Sequence, residues 1–236
     1  NFASVRVTDS GKLVPHYEVS DRLLFEGSIP AKTIKTYYVY FSSDPAIQAA
    51  ETSDYAGLLA SDRNLVRNPS FEEPGQLPDG WPGGAEGVQP DGTEMTVADE
   101  GLFGSRAARM SIPKESTRSW TGWRQAVPVQ PFKSYFLSGW LKTENVTPNA
   151  QIHAHYRNAE GELCESRKFT SIGPALSGTN DWALMAGLFE MPEDIATFQV
   201  HLTMNASGTV WHDGIVLAEA VEGTVGSLEG AQGEAL

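Results

Sequence analysis

Gln151-Ile152-His153-Ala154-His155-Tyr156-Arg157 alternates without a break. In an extended chain, Gln151, His153, His155 and Arg157 share one face, and Ile152, Ala154 and Tyr156 share the other. Residues 198–205 repeat the pattern, with Gln199, His201, Thr203 and Asn205 opposite Phe198, Val200, Leu202 and Met204. This is the period of a half-buried strand. Strand-like runs recur on either side, at 94–97, 107–112, 120–129, 134–142, 163–170, 182–190 and 209–218. Turn signals separate them, among them Pro78-Asp79-Gly80, Pro90-Asp91-Gly92, Asn158-Ala159-Glu160-Gly161 and Asn205-Ala206-Ser207-Gly208. Many short strands between regular turns predict an all-β, antiparallel sandwich or barrel over residues 64–219. No helix-length amphipathic segment interrupts them, which disfavours a parallel α/β fold.

Residues 1–44 read as four further strands, at 4–8, 13–19, 23–26 and 35–41, with Pro15 marking an edge or bulge. A sheet this small buries little apolar surface alone, so another domain or chain is expected to pack on it. Residues 45–63 are Ala-rich and predict a linker with a short helix; residues 220–236, rich in Gly, Glu and Ala, predict a flexible tail. The chain opens Asn1-Phe2-Ala3-Ser4 without an initiator Met, which suggests a processed piece of something larger.

Of the 236 residues, 17 are Lys or Arg and 30 are Asp or Glu, a formal charge of −13. That excludes a basic nucleic-acid footprint and docking on an anionic membrane surface. No apolar run approaches the ~20 residues of a membrane span. The single cysteine, Cys164, permits no intramolecular disulfide and no all-cysteine metal site, and reads as a small strand residue.

Three landmarks carry a family resemblance. Asn64-Leu65-Val66-Arg67-Asn68-Pro69-Ser70-Phe71-Glu72, followed by Pro78-Asp79-Gly80-Trp81, resembles the first strand and following loop of carbohydrate-binding modules. These are jelly-roll β-sandwiches appended to xylanases, glucanases and related secreted enzymes. Ser134-Tyr135-Phe136-Leu137-Ser138-Gly139-Trp140-Leu141-Lys142-Thr143 is similar to a central strand of that family, and Val210-Trp211-His212-Asp213-Gly214-Ile215-Val216-Leu217 to its closing strand, with Gly214 in place of a frequent second Asp. The resemblance implies an antiparallel jelly-roll β-sandwich preceded by a small partial sheet. Residues 1–44, with Val5-Arg6-Val7-Thr8-Asp9 and Ile29-Pro30-Ala31-Lys32, look like the closing strands of an accessory β-domain in a large extracellular carbohydrate-active protein. Secretion or display at the cell surface is implied with it.

The same resemblance implies a structural calcium held by Glu72 and Asp213, in the first and last strands, together with backbone carbonyls; ordinary surface acids are the competing reading. Among the tryptophans, Trp81, Trp140 and Trp211 fall inside the landmarks and read as core. Trp120, Trp123 and Trp182 read either as packing or as platforms on which sugar C–H faces stack. Trp120 and Trp123 are an odd interval apart, so a regular strand points them to opposite faces. The polar faces carrying His153, His155, Arg157, Gln199 and His201 suit a sugar-binding surface, and Arg157 suits the carboxylate of an acidic sugar. A plain solvated sheet face is the alternative.

If the strands are neighbours, His153, His155 and His201 also make a three-histidine zinc set, although no general base stands out beside it. Most acids lie in turns or tails rather than paired inside strands, and no nucleophile-elbow, zinc-protease or phosphate-loop motif is present. The expected role is therefore non-catalytic binding of a poly- or oligosaccharide, with no catalytic residue assigned, in a larger secreted polysaccharide-active protein. A structural or interaction subunit of a processed, multi-subunit extracellular assembly is the alternative, and a hydrolase or lyase acting by itself ranks third.

Overall fold

The computed structural model describes residues 4–10, 12–14, 16–19, 22–25, 32–42, 55–73, 78–85 and 87–220. It divides into two compact units whose boundaries in sequence fall between Tyr55 and Ala56 and after Ala220. Of the expected tail, Ala220 ends the last strand and residues 221–236 lie outside the described residues, as does the 45–54 part of the expected linker.

The first unit holds β1 (Ser4–Asp9), β2 (Lys12–Val14), β3 (His16–Val19), β4 (Arg22–Phe25) and β5 (Tyr37–Ser42). β2, β1 and β5 form an antiparallel sheet in that order, and β3 pairs with β4. The single strand expected over 13–19 is two strands, one on each side of Pro15, because proline offers no N–H to continue a ladder. Val7 is fully buried, and Lys35 reaches Asp9 at 2.6 Å.

In the chain the helix α1 (Tyr55–Leu59) comes next. Eight strands follow: β6 (Gly83–Ala85), β7 (Glu94–Ala98), β8 (Ala107–Ile112), β9 (Thr121–Pro128), β10 (Ser134–Arg157), β11 (Phe169–Glu190), β12 (Thr197–Met204) and β13 (Ser207–Ala220). They run in the order β6-β9-β12-β10-β13-β8-β7, with β11 pairing on β10. The long β10 belongs to two layers. Its residues 134–147 pair with β13 and its residues 150–157 with β12, while β11 follows it along both parts. The sheet therefore folds over on itself as an antiparallel jelly-roll β-sandwich. Between the layers lies one apolar core, with Leu137, Leu141, Ile152, Tyr156, Phe198, Val200, Leu202 and Leu217 all fully buried. Burying a side chain of this size stabilises by roughly 1.5–3 kcal/mol.

Two sequence expectations change here. Residues 64–72 are not a strand but an irregular segment pinned to β13. Leu65 N–H donates to the Leu217 carbonyl at 2.8 Å, and Ile215 N–H donates to the Pro69 carbonyl at 2.9 Å. Asn64 stands in for a strand partner: its Oδ1 accepts from Leu217 N–H and its Nδ2 donates to the Ile215 carbonyl, each at 3.1 Å. The runs expected as separate strands at 163–170 and 182–190 are one strand, β11, which begins only at Phe169 and continues to Glu190.

Trp81 is core as expected, its Nε1–H donating to the Arg67 and Asn68 carbonyls at 3.1 and 3.2 Å. Trp211 is buried beneath Lys142 and Arg109. Trp140, expected in the core, is only half-buried, lying edge-on to Phe103.

Candidate functional site

The outward face of the layer formed by β9, β12 and β10 is laid out by strand register. His201 on β12 stands opposite Arg124 on β9 and opposite His153 on β10. Next to this row, Gln199 lies between Ala126 and His155, and His155 in turn faces Phe169 of β11. Arg157 opposes Thr197, and Gln151 opposes Thr203. The polar residues of the two alternating stretches thus form one continuous grid, and their apolar partners fill the core beneath.

The groups of this grid bind one another. The His153 and His201 rings stack at 4.7 Å between centroids, and His155 lies 4.0 Å from His201 and 5.1 Å from His153. Arg157 Nε–H donates to Gln199 Oε1 at 2.8 Å, and the same oxygen lies 3.1 Å from His201 Nε2. Arg157 also donates to the Gly161 carbonyl, and Arg124 to the Gly84 carbonyl. Burial, followed by the charge of His155, lowers His153 to about 4. Burial, then His155, His153, Arg124 and Arg157, lowers His201 to about 2. Both imidazoles are neutral at pH 7, and Arg124 and Arg157 give this face fixed positive charge.

Two aromatic rings flank the grid. Trp120 is 36% exposed and meets His153 edge-on at 5.7 Å. Phe169 is 61% exposed and lies 5.7 Å from His155. Beside the grid, a cavity of about 290 Å³ is lined by Arg67, Pro82, Arg124, Gln125 and Gln199 among others.

Of the sequence candidates, the structure brings together Trp120, His153, His155, Arg157, Gln199 and His201. Trp123 is corrected: it points inward, is 1% exposed and offers no ring face to a ligand. The odd interval from Trp120 does separate the two rings, one into the core and one to the surface. Trp182 is half-buried on β11, eleven residues beyond Ser171, the residue opposite His153, and so stands away from the grid. Arg124 and Phe169 belong to the site and escaped the sequence reading. Arg124 was signalled by adjacency, because a core Trp123 forces its neighbour onto the opposite face.

Glu72 and Asp213 do a shared job elsewhere on the sandwich. Asp213 is fully buried; its Oδ2 accepts from Leu102 and Phe103 N–H at 2.6 and 2.8 Å, and its Oδ1 from Gly214 N–H at 2.6 Å. Exposed Glu72 sits in an irregular segment, not a strand, and its Oε1 accepts from Ser105 and Arg106 N–H at 2.8 and 2.6 Å. Between them the two carboxylates hold the 102–106 loop. Burial pushes the Asp213 carboxyl up to about 7; the three amide donors pull against that, and the nearby Glu72 adds to it.

A β-sandwich whose outer face combines planar hydrogen-bonding groups with exposed rings has the architecture of a carbohydrate-binding module. Comparison with known families agrees: the carbohydrate binding domain family matches residues 63–208, and the chain belongs to it. Its function is carbohydrate binding.

Among solved structures, the enzymatically active domain of tailspike protein 4 of bacteriophage CBA120 is similar, with a TM-score of 0.54 and 15% identity over 67% of this chain and 22% of that one. An arabinose-bound α-L-arabinofuranosidase, MgGH51, has a TM-score of 0.50 and 13% identity over 70% of this chain and 28% of that one. The C-terminal family 22 carbohydrate binding module of Clostridium thermocellum Xyn10B has a TM-score of 0.49 and 19% identity over 71% of this chain and 99% of that one. At these identities the likeness is one of fold. The chain spans 22% of the length of the tailspike domain it matches. No curated protein matches the chain in sequence.

Proposed function

We propose that the chain binds a poly- or oligosaccharide on the β9–β12–β10 face, as an accessory module of a larger secreted, polysaccharide-active protein. One observation carries this reading: the row Arg124–His201–His153 and the Gln199–His155 pair beside it are bracketed by the exposed rings of Trp120 and Phe169. Sugar rings stack their C–H faces on such aromatics while fixed planar groups take the hydroxyls. The hydrogen bonds inside the grid orient Arg157 and Gln199 before ligand arrives, which lowers the ordering cost of binding. Arg124 and Arg157 on a chain of net charge −13 favour a glycan that carries carboxylates. Isothermal titration against neutral and uronate-bearing polysaccharides tests this. Saturable binding that weakens about tenfold or more in Trp120→Ala supports the face; unchanged affinity in that variant contradicts it.

We also propose that calcium stabilises the sandwich at Glu72 and Asp213. Two hard carboxylates, one of them buried at an energetic cost, suit a divalent cation, with carbonyl or water oxygens completing its set. The amide donors already on these carboxylates leave lone pairs for it. A melting temperature that rises on adding calcium to chelator-treated protein supports the site, and no rise contradicts it.

The alternative role, an interaction subunit, has one observation in its favour. On β5 the stacked Tyr38 and Tyr40 are 55% and 38% exposed, and Ile34 just before them is 97% exposed. A further domain or chain packing on this sheet would cover them. Among the described residues, no helix is long and apolar enough to cross a membrane.

A further inference from the structure

We propose that His153, His155 and His201 bind a divalent transition metal of the zinc class. The argument is geometric. His153 and His155 are two apart on β10 and share a face, and the β10–β12 register sets His201 directly opposite His153. One ligand nitrogen from each residue lies within 4.8 Å of the others. Tetrahedral zinc with nitrogen ligands at 2.0–2.1 Å needs nitrogens ~3.4 Å apart. Binding therefore requires the three imidazoles to turn toward a common point.

The tautomer of His201 follows from its neighbours. Arg157 can only donate, so the Gln199 atom that it meets is the amide oxygen, and that oxygen also faces His201 Nε2 at 3.1 Å. His201 Nε2 therefore carries the proton, which places the ring's lone pair on Nδ1. An imidazole held through its far N–H by an oxygen acceptor is the usual support for a metal-binding histidine.

His153 supplies a second, independent observation. The residue is 7% exposed, and its Nδ1 is buried with no hydrogen-bond partner. Leaving such a nitrogen unmatched is costly, and a metal ion would satisfy it.

Three imidazoles suit zinc, nickel or copper rather than calcium or magnesium. They leave one tetrahedral position for a water or an anionic oxygen, and Arg124 and Arg157 favour the anion. The proposal does not depend on the glycan reading, because the metal is measured with no sugar present.

The test is a cobalt(II) titration of the untagged full chain after chelator treatment, followed by visible absorption. The expected result is one cobalt per chain with the strong bands of four-coordinate cobalt, removed by added zinc. Affinity should fall at least about tenfold in His153→Gln and in His201→Gln, and stay unchanged in His16→Gln. Circular dichroism reports whether each variant folds; if a buried-histidine variant does not, the half-buried His155→Gln takes its place. No cobalt bands at saturation overturn the proposal, as do bands whose affinity is the same in every folded variant.

Discussion

Asp213 sits in the middle of β13, paired with Trp140 of β10 and with no exposure, and three backbone N–H groups converge on its carboxylate. Replacing it with Ala leaves the Leu102 and Phe103 donors without an acceptor. The expected loss is about 2–4 kcal/mol in urea unfolding; a loss below about 1 kcal/mol would show that the loop is held by other means. The buried histidines set the acid limit of stability. An unfolded His takes its proton near 6.5, whereas folded His153 waits until about 4, His212 until about 3 and His201 until about 2. Between those values the unfolded chain binds more protons, so stability drops as pH falls below 6.5. Asp213, raised to about 7, works in the opposite sense: its folded form protonates first, and its contribution grows as pH falls from 7 toward 3.8. Three groups outnumber one, so metal-free protein should lose stability from pH 6.5 to pH 4. His153→Gln should flatten that decline in urea midpoints measured across the range, and a decline of unchanged slope would contradict the assignment.

At the scale of elements, the site depends on β9 lying close against β12. A Cβ placed on Gly122 would sit 2.1 Å from the Leu202 carbonyl oxygen and 2.7 Å from Thr203 Cα, which are backbone atoms with no room to yield. Gly122→Ala should therefore part the two strands, lower the melting temperature and weaken glycan binding together; a folded variant of unchanged stability would contradict this. The alternating strands were legible in the sequence because their faces differ in chemistry. β7, β8, β9, β12 and β13 lie within about two residues of their expected places, and the grid of His153, His155, Gln199 and His201 was read directly. The continuity of β10 was not legible. Glu144-Asn145-Val146-Thr147-Pro148-Asn149 is polar and carries a proline, and its strand state comes from pairing with β11 and β13 on either side. β11 likewise runs through Gly173-Pro174 and Gly178, and it is paired with β10 alone. Phe169 was missed for a related reason, since only the register with β10 sets it beside His155.

At the scale of the whole molecule, the charge of −13 and the two arginines of the grid pull in opposite directions. Acidic residues elsewhere repel a polyanion, while Arg124 and Arg157 attract a carboxylate locally. Binding of a uronate-bearing glycan should therefore weaken as salt rises from low to physiological strength, and binding of a neutral glycan should not. Equal salt dependence for both would remove the arginines from the account. The most direct test of the central claim is calorimetric titration of the full chain and of a folded Arg124→Ala/Gln199→Ala variant against the same polysaccharide panel. The account predicts saturable binding of at least one glycan by the wild type, weakened at least about tenfold in the variant, the scale expected when groups at the centre of an interface are truncated. Binding of equal strength in both proteins, or no binding of any glycan by the folded wild type, would contradict it.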